Sequence, residues 1–461
     1  MEYGILSVVI PLLTIILAII SKDVIVSLMG GIFAGMLVLN SFNPIDAFIG
    51  VFDGIITLFS EGWIVKTLLF MLLIGSIIHI LTISKAVESF VLFLEQKAKR
   101  IDSPRGAMLL VYSIGIIIFI ESSISSLVAG TVAKPLFDKH KISREKLAYI
   151  CDASSAPICS LIPLNAWGAL LLGLIITAID AKVIGGDAVS LLIASIPYNF
   201  YAIFALIILL ITILFNWDIG EMKKSISVPY VSTLNHKNVI STPYRMLLPI
   251  ILMVFMVPIG LYLTGKGDIF KGSGSTSVYY AVIVTLFFIY AYFIPQKILS
   301  HKDFFQGVYE GMGQMLSVTS ILIFALLIGK VIGDLGTAHY LAQLLQGNIS
   351  PMIVPLLIFW VASITAFSTG TSWGTFSIML PIGLALASSL NLEIPLVIGA
   401  VISGGIFGDH ASPISDTTII ASMSADCDHV SHVRTQLPYA LLGALLASIS
   451  FLFFGYLTQP L

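Results

Sequence analysis

The chain has 461 residues, 57% of them hydrophobic and only 10% charged, with a net charge of −2. Soluble domains carry about 25% charged residues, so this composition excludes a water-soluble globule, and the charge balance argues against nucleic acid as a partner. With a mean hydropathy of +1.02, the sequence reads as an all-α polytopic membrane protein, multi-pass in the cell (plasma) membrane.

In chain order, the first apolar run is Ile5–Ile20. It lacks a basic leader and a small-residue cleavage site, so it is expected to be a span rather than a signal peptide. Later runs such as Met246–Thr264 and Leu437–Leu457 are also long enough to cross a core of about 30 Å at 1.5 Å per helical residue. The cysteines Cys151, Cys159 and Cys427 lie in or beside predicted spans, and no disulfide is expected.

The chain repeats itself. Asp46–Gly54 (DAFIGVFDG) recurs as Asp303–Gly311 (DFFQGVYEG), and Leu72–Gly75 as Leu326–Gly329. Glu121–Pro135 matches Phe367–Pro381 in its hydroxyl residues and final proline, and the Ala-Pro157-Ile step matches Ser-Pro413-Ile. The spacing predicts one half over 1–215, a cytoplasmic linker over 216–245 with Lys223, Lys224 and Lys237, and a second half over 246–461.

Basic residues collect on cytoplasmic loops. Lys85, Lys97, Lys99, Arg100 and Arg105 follow the first LLIG helix, whereas the equivalent Asp334–Pro351 stretch holds no Lys or Arg. Lys139, Lys141, Arg144 and Lys146 likewise answer an Ala385–Pro395 stretch without any, and Lys297 and Lys302 answer an uncharged Asn40–Pro44. Equivalent loops are therefore expected on opposite sides. The prediction is two inverted-topology repeats, each about five transmembrane helices plus a re-entrant hairpin and a broken helix, with both termini outside.

Each half carries two polar interruptions of apolar helix. They are Glu121–Ser126 and Asp152–Pro157 (followed by Pro163 and Asn165), then Ser368–Gly374 and Gly408–Thr418. Proline removes a backbone donor and glycine permits unusual backbone angles. Unwound backbone at membrane depth is tolerated only inside protein or against a wet cavity. Freed carbonyls with Ser125, Ser154, Thr371, Ser372, Ser412 and Thr417 would form a hard-oxygen cage for sodium.

Carboxylates inside a membrane are rare and usually functional. Asp409 and Asp416 are the leading candidates for a group that holds either a proton or a sodium ion; the alternative is that one of them caps a half-helix. Glu121 and Asp152 are weighed in the same way. His410 reads equally as a proton acceptor or as a hydrogen-bond partner. Trp167 and Trp373 are expected to pack, and Gly370 and Gly374 to allow close backbone approach. Asp426-Cys-Asp-His429 with His432 resembles a metal cluster, but loop residues need no ligand, so no metal beyond sodium and no cofactor is expected. No Walker, GxSxG or HExxH motif occurs, and an enzyme is not expected.

Gly408–Thr418 (GDHASPISDTT) and Thr369–Thr375 (TGTSWGT), with Ile142–Tyr149 (ISREKLAY), Asp428-His429 and Val433–Tyr439 (VRTQLPY), resemble the NhaC-type sodium/proton antiporter family. The resemblance implies a secondary transporter of the ion transporter superfamily, with paired hairpins, unwound helices and a homodimeric assembly. It implies that Asp409, Ser412, Asp416 and Thr417 line the ion path, with Asp152, Ser154 and Pro157 as first-half equivalents. Relatives of this kind exchange sodium for protons, and others carry dicarboxylates, lactate or amino acids. Where two adjacent acids are expected, this chain has Glu121-Ser122, which leaves stoichiometry and substrate open. The expected function is sodium/proton antiport; the alternative is a sodium- or proton-coupled carrier of a small organic anion or amino acid.

Overall fold

The computed structural model describes residues 3–21, 23–98, 103–119, 121–225, 242–267, 272–337, 340 and 350–458. The central part of the expected linker, with Lys237, lies outside the described residues, as do Lys99, Arg100 and most of the loop after Asp334. Among the described residues every regular element is helical. The N-terminal half runs α1 (Leu6–Ser21), α2 (Val24–Leu39), α3 (Pro44–Ser60), α4 (Gly62–Ile83), α5 (Ala86–Ala98), α6 (Pro104–Ile117), α7 (Ser122–Lys139), α8 (Arg144–Ala153), α9 (Ala156–Leu161), α10 (Ala166–Asp180), α11 (Ala188–Ser195) and α12 (Phe200–Phe215). The C-terminal half runs α13 (Tyr244–Thr264), α14 (Gly274–Phe293), α15 (His301–Gln314), α16 (Leu316–Asp334), α17 (Val354–Thr369), α18 (Ser372–Ser389), α19 (Ile394–Ala411), α20 (Asp416–Ala425) and α21 (His429–Leu457).

Eight helical stretches among the described residues are long and apolar enough to cross a bilayer, or ten if each of two bent pairs forms one span. One such pair, α2 and α3, turns through 120°. Asn43 caps α3 through its side chain, and Pro44 opens it with φ already suited to a helix. The outer faces carry large apolar residues. On α21, Leu441, Leu445, Ile449 and Phe453 are exposed at intervals of four, while Ala440, Ala444 and Ala447 on the opposite face are buried. Small residues inside and bulky ones outside suit helices that must approach closely in lipid.

Helix boundaries repeat between the halves. Ser122 and Ser372 open α7 and α18, each 18 residues long. The turns that follow use left-handed Lys141 and Asn391, also 250 positions apart. This replaces the 246-residue register read from Pro135 and Pro381: both prolines lie inside their helices, on different turns. Glu121 is therefore equivalent to Thr371.

The halves interlock. α15 crosses α4 where Gly75 and Gly311 meet; a Cβ on Gly75 would stand 2.4 Å from the Gly311 carbonyl oxygen. Correspondingly, Gly54 of α3 faces Leu327 of α16. α7 packs on α20, and α18 on α10. The polar interruptions adjoin one another: Ser126 reaches Ser155, Ser372 reaches Asp409, and His410 lies beside Asp152.

Candidate functional site

α6 and α7 form one helical hairpin and α17 and α18 the other. α6 has 14 residues, about 21 Å at 1.5 Å each, short of a bilayer core of about 30 Å. α8 and α20 have 10 residues each and span about half of it. Helix ends therefore fall deep in the molecule and require internal partners for their backbone groups.

The second-half break is built around Asp409, which is 3% exposed. Its Oδ2 accepts from Ser372 Oγ at the first residue of α18, and its Oδ1 accepts from Ser415 Oγ, 2.6 Å away, at the N-cap of α20. The first residue of one helix and the N-cap residue of another thus each present a hydroxyl to one carboxylate. Ser415 Oγ also lies 3.0 Å from Thr417 Oγ1. Ser412 Oγ donates to the Phe367 carbonyl at 2.8 Å, tying the break to the hairpin tip. Gly370 turns that tip at φ 67°, and a Cβ there would come within 2.6 Å of the Ile414 carbonyl oxygen. At Gly374 the added atom would strike Val24.

The first-half break is built differently. Asp152 is fully buried, and its Oδ2 accepts from Gln436 Nε2 at 2.7 Å. The same oxygen lies 3.5 Å from His432 Nε2 and 3.7 Å from His410 Nε2. His410 Nδ1 pairs with the Tyr201 hydroxyl at 2.7 Å. Ser154 and Ser155 turn back on their own helix, onto the Ile150 and Asp152 carbonyls. Ser126 of α7 reaches Ser155 Oγ at 3.1 Å.

Other expected site residues stand apart. Glu121 caps α7, accepting from Ser123 and Ile124 N–H at 3.0 and 2.7 Å. It also faces an apolar cleft with Ile77, Leu81, Ile118, Met246 and Met253. Asp416 lies exposed on the first turn of α20, accepting from Thr417 N–H at 2.8 Å. Thr371 is the half-buried N-cap of α18, without a side-chain capping bond. Ser125 is buried, and its hydroxyl has no hydrogen-bond partner among the described residues. Asn165 is a staple: its amide donates to the carbonyls of Phe119, Cys159 and Ile162, and its oxygen caps α10. Trp167 packs edge-on against Trp373.

Among the described residues no group of three His, Cys, Asp or Glu is arranged to hold a metal ion. The loop that resembles a metal cluster is used structurally. His429 Nε2 pairs with the Pro413 carbonyl at 2.6 Å, Asp428 caps α21 and left-handed Asp426 ends α20. Sequence reasoning missed Ser415, Tyr201 and Gln436 as site residues. Ser415 and Gln436 lie inside the quoted motifs, but nothing in the local pattern says where they point.

A family model described as "Na+/H+ antiporter family" matches residues 158–456. The chain belongs to this family. An uncharacterized protein of Haemophilus influenzae is 34% identical over 473 aligned residues, covering 98% of this chain and 91% of that one. The malate-2H(+)/Na(+)-lactate antiporter of Bacillus subtilis is 32% identical over 161 residues, 34% of each chain. The crystal structure of the Alcanivorax borkumensis YdaH transporter shares the fold, with a TM-score of 0.62 at 15% identity over 90% of each chain. This member of the antiporter family is therefore a multi-pass membrane protein and a secondary transporter, not an enzyme. The ISREKLAY motif acquires a structural role in it. Arg144 pairs with Asp138 and donates to the Ala425 carbonyl at the end of α20, Glu145 accepts from Ser431, and Lys146 reaches Asn216 and Asp218.

Proposed function

We propose that this protein is a sodium/proton antiporter of the plasma membrane whose cation site is centred on Asp409. The observation that carries the reading is a buried carboxylate held by two hydroxyls, Ser372 and Ser415, from two helix N-termini. A hydroxyl is both donor and acceptor. With no cation present, Ser372 and Ser415 donate to Asp409. With sodium present they turn their lone pairs to the ion, joined by Thr417 Oγ1 and the Gly405 carbonyl, 3.5 Å from Ser372 Oγ. Hard oxygens with one negative charge suit a sodium ion, and a charge-neutral site is the least costly state in a lipid-embedded interior.

A proton on the same carboxylate achieves the same neutrality and excludes sodium. Exchange then follows from competition, with the inverted halves alternating to face either side. Apparent sodium affinity should weaken as pH falls, because protons compete for Asp409. Asp416 and Glu121 are both acidic and near enough for their charges to interact.

The test is sodium uptake in proteoliposomes under an imposed pH gradient, alongside sodium-dependent thermal stabilisation of purified protein. Wild type should show both, and Asp409→Asn should lose both while remaining folded. Unaltered sodium stabilisation in Asp409→Asn would remove that residue from the site. The second reading is a carrier of a small organic anion coupled to these ions. It is favoured by the similarity to the malate/lactate antiporter and by Ser122 beside Glu121. It predicts sodium flux only when a carboxylate solute is supplied.

A further inference from the structure

α10 and α18 pack side by side, and the seam between them is not filled along its whole length. We infer that this seam is a route from the molecular face at which both helices end to Asp409, and that Trp167, with Phe376, is the gate that closes it. Its role in transport rests on the reading of Asp409 as the cation site; the passage itself does not.

Where the two helices end, the turns that follow them part. They enclose a cavity of about 680 Å³, lined by Lys182, Val183 and Ile184 after α10 and by Ser388, Asn391 and Leu392 around the end of α18. Deeper in, Val183 also lines a narrower space with Thr177, Gly329, Ile332 and Pro381. Its volume is about 10 Å³, no more than room for one water. A Cβ on Gly329 would come no nearer than 3.7 Å to Pro381 or Thr177, so the helix surfaces at this level stand apart by at least a methyl group.

Below this level the seam is shut by rings. Phe376 lies five residues before Pro381 on α18, about 7.5 Å along the axis, and one turn beyond Ser372. Trp167 of α10 meets Phe376 edge-on with ring centres 5.7 Å apart, and meets Trp373 at 5.8 Å. Trp167 and Phe376 are both buried. Phe376 also lies against Gly405 of α19, where an added Cβ would strike the ring. The Gly405 carbonyl is 3.5 Å from Ser372 Oγ, the hydroxyl that donates to Asp409. An aromatic layer therefore stands between the cavities and the carboxylate.

The equivalent seam of the inverted arrangement is closed in another way. There α7 lies on α20, a Cβ on Gly130 would stand 2.8 Å from the Ser424 carbonyl carbon, and Arg144 ties down the last turn of α20. Opening that seam requires two helices to separate, whereas opening the α10–α18 seam requires rings to turn. A constriction of apolar side chains excludes water and ions until it moves, and side chains move faster than packed helices. With one seam closed by backbone and the other by side chains, the α10–α18 face is the nearer to opening.

The test is thiol labelling in sealed membrane vesicles, on the full chain without its native cysteines. The reagent is trimethylammonium-ethyl methanethiosulfonate, which is cationic and membrane-impermeant. Ser388→Cys reports the cavity, and Ser372→Cys the far side of the rings. Reagent added on the side from which Ser388→Cys reacts should modify Ser372→Cys slowly when Trp167 is present. In Trp167→Ala that rate should rise about tenfold, with Trp167→Phe in between. The rates at Ser388→Cys, and at Ser424→Cys on the closed seam, should not change. If Trp167→Ala does not fold, Phe376→Leu takes its place. An unchanged Ser372→Cys rate overturns the proposal, as does a Ser388→Cys that reacts from neither side. A rise shared by Ser424→Cys would mean general loosening and overturns it too. The labelling needs no sodium, so its failure is separate from a failure of Asp409→Asn to lose its sodium response.

Discussion

At the residue scale, two buried aspartates of similar sequence context have different surroundings. Asp409 has an oxygen-only shell donated by serines, whereas Asp152 has an amide and two imidazoles. The hydroxyls around Asp409 are the finer test of the proposed cation cage. Ser415→Ala removes one donor to Asp409 and, in the proposed site, one ligand, with a net effect on the order of 1 kcal/mol for a single hydrogen-bonding group, or more with a charged partner. Sodium uptake by Ser415→Ala should therefore need about ten times more sodium for half-maximal rate. An unchanged sodium dependence would mean that Ser415 is only a helix cap.

At the element scale, the structure depends on where helices stop. The tip of the second hairpin and the break in α19 touch at Gly370 and Ile414. Gly370 adopts a left-handed conformation that costs other residues about 1–2 kcal/mol, and any side chain there also collides with backbone rather than with a movable group. Gly370→Ala is expected to lower the thermal midpoint measurably and to weaken sodium stabilisation, because it pushes Ile414, and with it Ser415, away from Asp409. A variant with wild-type melting and wild-type sodium response would show that this crossing does not position the site. Arg144 acts at the other end of α20, where its guanidinium meets the last-turn carbonyl of Ala425. Both ends of this ten-residue helix are therefore anchored by other elements.

At the scale of the whole molecule, the halves exchange partners. α15 lies on α4 while α3 lies on α16, and α7 lies on α20 while α18 lies on α10. Each half's hairpin rests on the other half's broken region, so a tilt of one half changes the surroundings of both carboxylates. The predicted inversion is tested by impermeant thiol labelling in a background without the native cysteines. Ser41→Cys should label from the outside and Ser300→Cys from the inside. Labelling of both from one side would exclude the inverted arrangement.

The sequence by itself determined that the chain is helical and lipid-embedded, where its helices are interrupted, and which carboxylates have to be explained. These follow from composition, from proline and glycine, and from the high cost of charge in hydrocarbon, all of which act locally. It also suggested a repeat; the helix starts at Ser122 and Ser372 are 250 residues apart, four more than Pro135 and Pro381, because a proline can sit on any turn of a helix that tolerates it. Only the tertiary structure decided which polar groups meet. It put Ser372 and Ser415 on Asp409, made Asn165 a staple and Glu121 a cap, and brought His432 and Gln436 from the last helix to Asp152. The physical reason is the distance along the chain: Asp152 and Gln436 are 284 residues apart, and a hydrogen bond between them exists only once two halves of the molecule have packed.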